Sequence, residues 1–219
     1  MQSVPFENLD FYLGKPIDLA PDNLYKKIVE AHRGGICYEL NALFYHLLVK
    51  IGFEVKLIAA EVYEPDGTLG PPFDHMALVV KVAREDYLVD VGFGDITLPL
   101  RLSDANPQGN ARGHYRMVQD GDRYTVMWVS ENQTQRPMFR FFTTPCRVSD
   151  FNAMCVYHQT SEHSRFTKKE ICSRATASGR ITISGNELIE STGDTRTVIA
   201  LATAEDKQQA RYQHFGIRL

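Results

Sequence analysis

Apolar residues recur along this chain with two different periods. Leu40, Leu43, Phe44, Leu47, Leu48 and Ile51 fall at i, i+3, i+4, i+7, i+8 and i+11, a single stripe of a 3.6-residue helix that Gly52 closes. A weaker helical pattern spans Asp22 to His32, with Leu24, Ile28, Val29 and Ala31 apolar, and Gly34-Gly35 stops it. Beyond Gly52 the period shortens. Val55, Leu57 and Ile58 lead a strand to Tyr63, and a loop of turn formers follows from Glu64 to Pro72. His75 to Val82 and Tyr87 to Val91 are nearly continuous apolar runs around the polar tip Arg84-Glu85-Asp86, which predicts a hairpin buried on both faces. Further strands are predicted at Tyr115 to Val118, Tyr124 to Val129, Phe139 to Phe142, Ile181 to Ile183 and Thr197 to Leu201, with a polar helix from Glu205 to Tyr212. Helices come first and antiparallel strands after, so the expected class is α+β.

Composition narrows the function classes. At 219 residues, with 43% hydrophobic and 23% charged, the chain has an ordinary globular make-up and room for one domain or two small subdomains. Its formal charge of −3 and the lack of a basic block argue against nucleic acid as a partner. Apolar runs such as Met76 to Val80 fall far below the roughly 18 residues of a membrane span, so no membrane partner is expected. Met1-Gln2-Ser3-Val4-Pro5 has neither the basic nor the apolar region of a leader, and the expected location is cytoplasmic. The four cysteines, Cys37, Cys146, Cys155 and Cys172, include no C-x-x-C pair, so neither a disulfide framework nor a metal site is expected.

Three residues stand out chemically. Gly34-Gly35 permits a tight turn and a close backbone approach, which presents Cys37 at the first turn of a helix, where unpaired N–H groups and the dipole favour a thiolate. Cys146, Cys155 and Cys172 lack that setting and read as small buried hydrophobes. Asp90 lies in an apolar strand and must find a partner, because an unpaired buried charge costs several kcal/mol. Counting outward from the hairpin tip puts His75 opposite a residue between Val91 and Phe93, which makes Asp90 its near-diagonal neighbour. A thiol, a histidine 38 positions on and an aspartate 15 further follow the logic of nucleophile, base and orienter. None of the other histidines (His32, His46, His114, His158, His163, His214) has a carboxylate so near in a hairpin.

The string Arg33-Gly34-Gly35-Ile36-Cys37-Tyr38-Glu39-Leu40-Asn41 closely resembles the R-G-G-x-C-x-E-x-N signature of the arylamine N-acetyltransferases (N-hydroxyarylamine O-acetyltransferases). Val4 to Asp10, His75-Met76, Val89 to Gly94, Thr160 to Thr167 and Cys172-Ser173 are similar to further family strings in order and spacing. The resemblance implies a papain-like arrangement with N-terminal helices, a central antiparallel β-barrel and a C-terminal α/β lid, here residues 1–52, 53–145 and 146–219. It implies a cytoplasmic enzyme of xenobiotic metabolism in which Cys37, His75 and Asp90 are catalytic, acetyl-CoA is the cosubstrate, and an arylamine, hydrazine or N-hydroxyarylamine accepts the acetyl group by a ping-pong route. It implies that Phe93 and Gly94 line the substrate pocket, with Phe93 also readable as a core aromatic, and that Phe166 is the lid aromatic near the acyl channel. Glu7 and Arg33 are expected to pair and to tie the first segment to the turn before Cys37, and Asn41 to hydrogen-bond one helical turn further on.

Other Cys-His-Asp acyl transferases, transglutaminase-like or amide synthases, share the order of these residues. A truncated member that binds CoA or aromatics without turnover is a further reading. The family carries a helical segment before the Pro-Phe-Glu-Asn string, whereas only Met1 to Val4 precede Pro5 here. The expectation is therefore that the stripe from Leu40 to Ile51 is left partly uncovered, and that the chain self-associates through it as a homo-oligomer or is of low stability and activity.

Overall fold

The computed structural model describes residues 2–94, 96, 98–110, 113–130, 132–193 and 195–219. Along the chain its elements are β1 (Phe6–Glu7), α1 (Leu9–Tyr12), α2 (Pro21–Tyr25), α3 (Cys37–Lys50), β2 (Glu54–Val62), β3 (His75–Val82), β4 (Glu85–Val89), β5 (Leu100–Arg101) and β6 (Gln108–Asn110). They continue with β7 (Gly113–Asp120), β8 (Arg123–Val129), β9 (Gln135–Phe142), α4 (Asn152–Thr160), β10 (Ile171–Ala175), β11 (Gly179–Ser184), β12 (Glu187–Thr192), β13 (Thr195–Ala200) and α5 (Ala204–Phe215). The elements group into two compact units, one formed by residues up to Leu40 together with Cys155–Leu219, the other by Asn41–Met154.

The Asn41–Met154 unit is an antiparallel sheet in the order β5-β4-β3-β2-β9-β8-β7-β6, curled until β5 approaches β7. Alternation explains the curl: Ile58, Ala60 and Val62, then Ala77 and Val79, then Phe139 and Phe141 are buried at i, i+2 spacing and fill the inner face. Each Ile, Val and Phe among them contributes about 1.5–3 kcal/mol by leaving water. β9 starts earlier than the predicted Phe139, because a bulge opposite Val126 and Met127 accommodates Pro137, which has no N–H to give a regular ladder.

The hairpin differs from its expectation in two ways. Val82 pairs with Glu85 and Lys81 with Asp86, so the tip is Ala83-Arg84, with Ala83 at φ 56°, and the charged pair belongs to the strand. β3 is buried from His75 to Val80, but β4 buries only Leu88, and Asp90 lies just past its end rather than within an apolar strand.

In the other unit, β1 pairs with β10, Phe6 opposite Ser173 and Glu7 opposite Cys172, at the edge of a sheet ordered β1-β10-β11-β12-β13. This pairing is why the chain divides into two units rather than at 52 and 145: the first strand completes the C-terminal sheet. α5 packs there, with Ala210, Phe215 and Ile217 beside Leu188, Ile183 and Leu201. The predicted helix from Asp22 to His32 is α2 followed by a π-helical turn, Lys26–Glu30. α3 follows the predicted stripe, yet Leu40 and Leu48 are buried, Leu43 and Phe44 half-buried, and Leu47 and Ile51 exposed by 52% and 62%.

Gly34 and Gly35 are required by close approach. A Cβ on Gly34 would lie 2.0 Å from the Pro5 carbonyl oxygen, and one on Gly35 2.6 Å from Glu39 Oε2. The first obstacle is backbone, which cannot swing aside. Gly34→Ala is expected to destabilise by more than about 3 kcal/mol in urea unfolding. Gly121→Ala, at a positive-φ turn with nothing within 4 Å, is expected to lose only about 1–2 kcal/mol. Equal losses at the two sites would show that the Pro5 contact is dispensable.

Candidate active site

Within the Asn41–Met154 unit, His75 and Asp90 form a buried pair. His75 opens β3 and its Nε2 lies 2.5 Å from Asp90 Oδ2, with both side chains almost fully enclosed. The carboxylate is saturated: Oδ1 accepts from Asn41 Nδ2 (2.9 Å), Gly92 N–H (2.8 Å) and Phe93 N–H (2.9 Å). The last two bonds turn the chain sharply after Asp90, which is why β4 stops at Val89. Burial pushes the Asp90 carboxyl up, but the charge and hydrogen bond of His75, with Asn41 and the Gly92 N–H, outweigh it and hold it below the usual carboxylate range. A carboxylate on Nε2 fixes that nitrogen as the protonated one and leaves Nδ1 as the basic nitrogen.

Asn41 secures this corner with every polar atom. Its Nδ2 donates to the Met76 carbonyl (2.7 Å) as well as to Asp90, and its Oδ1 accepts from the Val91 N–H (3.0 Å). The Phe93 ring stands edge-on to His75 at 5.3 Å between centroids and 4.9 Å from Phe139, so it borders the imidazole while packing on the barrel core. Phe93 thus packs as a core aromatic, and Gly94 follows it half-buried.

In the other unit, Cys37 is 3% exposed at the start of α3, where Leu40 N–H bonds the Ile36 carbonyl at 3.1 Å. The turn before it is held by buried ions. Arg33 Nε and Nη2 reach Glu7 Oε1 at 2.9 and 2.8 Å, and Nη2 reaches Asp10 Oδ1 at 2.9 Å. Lys27 Nζ bridges Asp10 Oδ2 (2.6 Å) and Glu39 Oε1 (2.7 Å), while Glu39 Oε2 takes the Ile36 N–H at 3.0 Å. Glu7 is fully buried, so its bond to Arg33 is an interior ion pair and not an exposed one. Burial pushes the Glu39 carboxyl up to about 7 against the pull of Lys27. Burial also pushes Asp10 up, but Lys27 and Arg33 prevail and its pKa is lowered.

Phe166 packs among Phe6, Phe11 and His158 with centroids 5.9, 6.4 and 5.0 Å away, inside its own unit. Cys155 and Cys172 are buried as expected, whereas Cys146 is only half-buried. Sequence reasoning missed Asp10, Lys27 and Glu39. Glu39 was detectable: it stands three positions after Ile36, the spacing at which a glutamate reaches back to the N–H at a helix start. Lys27 gave no signal, because a lysine stem packs among apolar residues without disturbing the helical pattern. Among the described residues, no group of three or more His, Cys, Asp or Glu side chains is arranged to hold a metal ion, and no helix is long and apolar enough to cross a membrane.

Comparison with known proteins gives this geometry a setting. The family profile described as N-acetyltransferase matches residues 1–219. An arylamine N-acetyltransferase of Mycolicibacterium smegmatis is 34% identical over 225 residues, taking in 100% of this chain and 82% of that one. A Bacillus cereus arylamine N-acetyltransferase, described as having a unique Cys-His-Glu catalytic triad, superposes with TM-score 0.91 at 26% identity, covering 100% of this chain and 87% of that one. The Mycobacterium marinum arylamine N-acetyltransferase in complex with CoA does so with TM-score 0.88 at 29% identity, over 98% of this chain and 81% of that one. Matched along its whole length by that profile, and carrying the R-G-G-x-C-x-E-x-N string at its helix start, this chain belongs to the arylamine N-acetyltransferase family of acyltransferases.

Proposed function

We propose that the chain moves an acetyl group from acetyl-CoA to an arylamine, hydrazine or N-hydroxyarylamine by a ping-pong route, with Cys37 as the carrier, His75 as acid and base, and Asp90 as its orienter. The observation that carries this reading is the saturated, buried His75–Asp90 pair, in a chain whose α3 begins with a thiol. Asn41, which binds Asp90, stands on that same helix one turn after Cys37. The CoA complex of the Mycobacterium marinum relative supports acetyl-CoA as the donor. The Cys-His-Glu triad described for the Bacillus cereus relative supports a carboxylate in the third place.

In the first half-reaction His75 Nδ1 takes the Cys37 proton, Sγ bonds to the acetyl carbon, and the bond from that carbon to the CoA sulfur breaks. His75 returns the proton to the departing thiolate. One thioester replaces another, so the step is nearly balanced. In the second, the neutral amine nitrogen bonds to the acetyl carbon and the bond to Sγ breaks. The nitrogen's proton passes to His75 and from there to the thiolate. Asp90 holds the imidazole in one tautomer and supports its charge. Phe93, edge-on to His75, offers an aromatic acceptor a wall beside the base, and Gly94 leaves room next to it.

Acetyl-CoA is expected to leave one acetyl group on Cys37 in intact-mass measurement, discharged by an aromatic amine. Cys37→Ser is expected to lower turnover by at least about a thousandfold with the fold retained. Substantial residual turnover in that variant would sink the carrier role.

Limiting iodoacetamide at neutral pH is expected to modify Cys37 before the other thiols. Burial pushes Cys155 up to about 12 and raises Cys172 and Cys146 as well. Equal labelling of all four thiols in the native protein would contradict the assignment.

Asn41→Ala orphans the Val91 N–H and the Met76 carbonyl and removes a donor from Asp90. At about 1–3 kcal/mol for each orphaned group, a loss of about 2–4 kcal/mol in urea unfolding is expected, with slower acetylation per folded molecule. A loss below about 0.5 kcal/mol would remove Asn41 from the site's support.

A further inference from the structure

We infer that Lys27 and Glu39 are a positioning pair for the nucleophile: one oxygen of Glu39 clamps the peptide leading into Cys37, the other is tied to the Lys27 ammonium, and together they set the geometry and charge in which Cys37 reacts. This rests on Cys37 being the acetyl carrier and adds two residues that touch neither acetyl group nor acceptor.

The geometry is specific. Glu39 Oε2 holds the Ile36 N–H at 3.0 Å, and only a glycine at 35 leaves space for that oxygen. Glu39 Oε1 meets Lys27 Nζ at 2.7 Å, and the same nitrogen meets Asp10 Oδ2 at 2.6 Å. Lys27 lies on the π-helical turn, whose extra residue changes the face its side chains present relative to a continuing α-helix. On its far side the Gly35 carbonyl accepts the Glu7 N–H at 3.0 Å, and Glu7 pairs with Arg33. The single Gly35–Ile36 peptide is thus held at both ends, its N–H by the Glu39 carboxylate and its carbonyl by the backbone of the ion-paired Glu7.

A purely structural clamp does not need charge. An amide satisfies the Ile36 N–H, and apolar side chains fill a buried site at least as stably as an ion pair. A buried ion pair two residues from a nucleophile is the arrangement expected where charge is used. The charged or titratable groups facing Glu39 are Lys27 on the π-helical turn, Glu7 on β1 and Cys155 on α4, with Asp10 and Arg33 one link further and Cys37 facing Cys155 in turn. Burial lifts the Glu39 carboxyl to about 7, so around neutrality Glu39 passes between acid and carboxylate beside a Lys27 that stays an ammonium.

The test is the rate of Cys37 alkylation by iodoacetamide from pH 5 to 9, read by peptide mass spectrometry and corrected for the folded fraction measured by circular dichroism. Glu39→Gln keeps an acceptor and removes the charge; Lys27→Met keeps the stem and removes the ammonium. Lys27→Met removes a positive charge and is expected to slow alkylation about tenfold at pH 8, whereas Glu39→Gln removes a negative charge and is expected to speed it severalfold and to erase a step near pH 7 that the parent shows. Combining Lys27→Met with Glu39→Leu gives an apolar filling expected to fold even where a single change does not, to react at a rate between the single variants, and to lack the step near pH 7. Single-variant rates matching the parent, or a step near pH 7 kept by Glu39→Gln or by the folded double variant, would overturn the inference. Acetyl-CoA mass labelling of the parent is run in parallel. A parent that alkylates but never acetylates fails the carrier reading, while the alkylation comparison still decides the positioning role.

Discussion

A carboxylate taken out of water must be fully met by donors, and this requirement shapes both units of the chain. Glu7, Asp10, Glu39 and Asp90 are all buried. Each would be destabilising by several kcal/mol if left without partners. Asp90 obtains its donors by bending the backbone after β4 into its own reach and by recruiting Asn41 and His75. Glu7, Asp10 and Glu39 obtain theirs from Arg33, Lys27 and the N–H groups of Leu9 and Ile36. The turns at Gly34-Gly35 and at Gly92 exist where these charges need backbone donors.

This explains which features were legible in the sequence. A charge satisfied by chain neighbours leaves a local mark, as Asp90 does before Gly92 and Phe93, and Gly34-Gly35 before Cys37 is a short string whose residue types follow from the close approaches it makes. The hairpin count reached His75 and Asp90 because a register extends along a ladder from any one point, even when the tip is displaced by a residue. Asp10 and Lys27 are satisfied across long separations and look like ordinary surface charges in a linear reading.

The secondary structure divides on the same principle. β2, β3, β7, β8 and β9 fill a common interior, so apolar residues mark them strongly. β10 is the run Ile-Cys-Ser-Arg-Ala and β12 buries only Leu188, because a sheet backed on one side by α5 needs few apolar anchors. α4 buries a thiol and an imidazole, Cys155 and His158, which hydropathy does not mark as a helical face. β1 is two residues long and takes meaning only from its partner strand, which lies more than 160 positions away. Nothing local announces such a pairing, and it is this pairing that unites the first segment with the C-terminal sheet.

Charge balance in the first unit carries the same reasoning one step further. Three carboxylates, Glu7, Asp10 and Glu39, share two cations, Arg33 and Lys27, so full ionisation leaves an excess negative charge in an interior that tolerates none cheaply. Glu7 and Asp10 both bond directly to Arg33, and Asp10 has Lys27 as well. Glu39 depends on Lys27 alone and is the most deeply desolvated acid that Lys27 serves, with its pKa lifted to about 7. The proton that relieves the imbalance therefore goes to Glu39, two residues from Cys37.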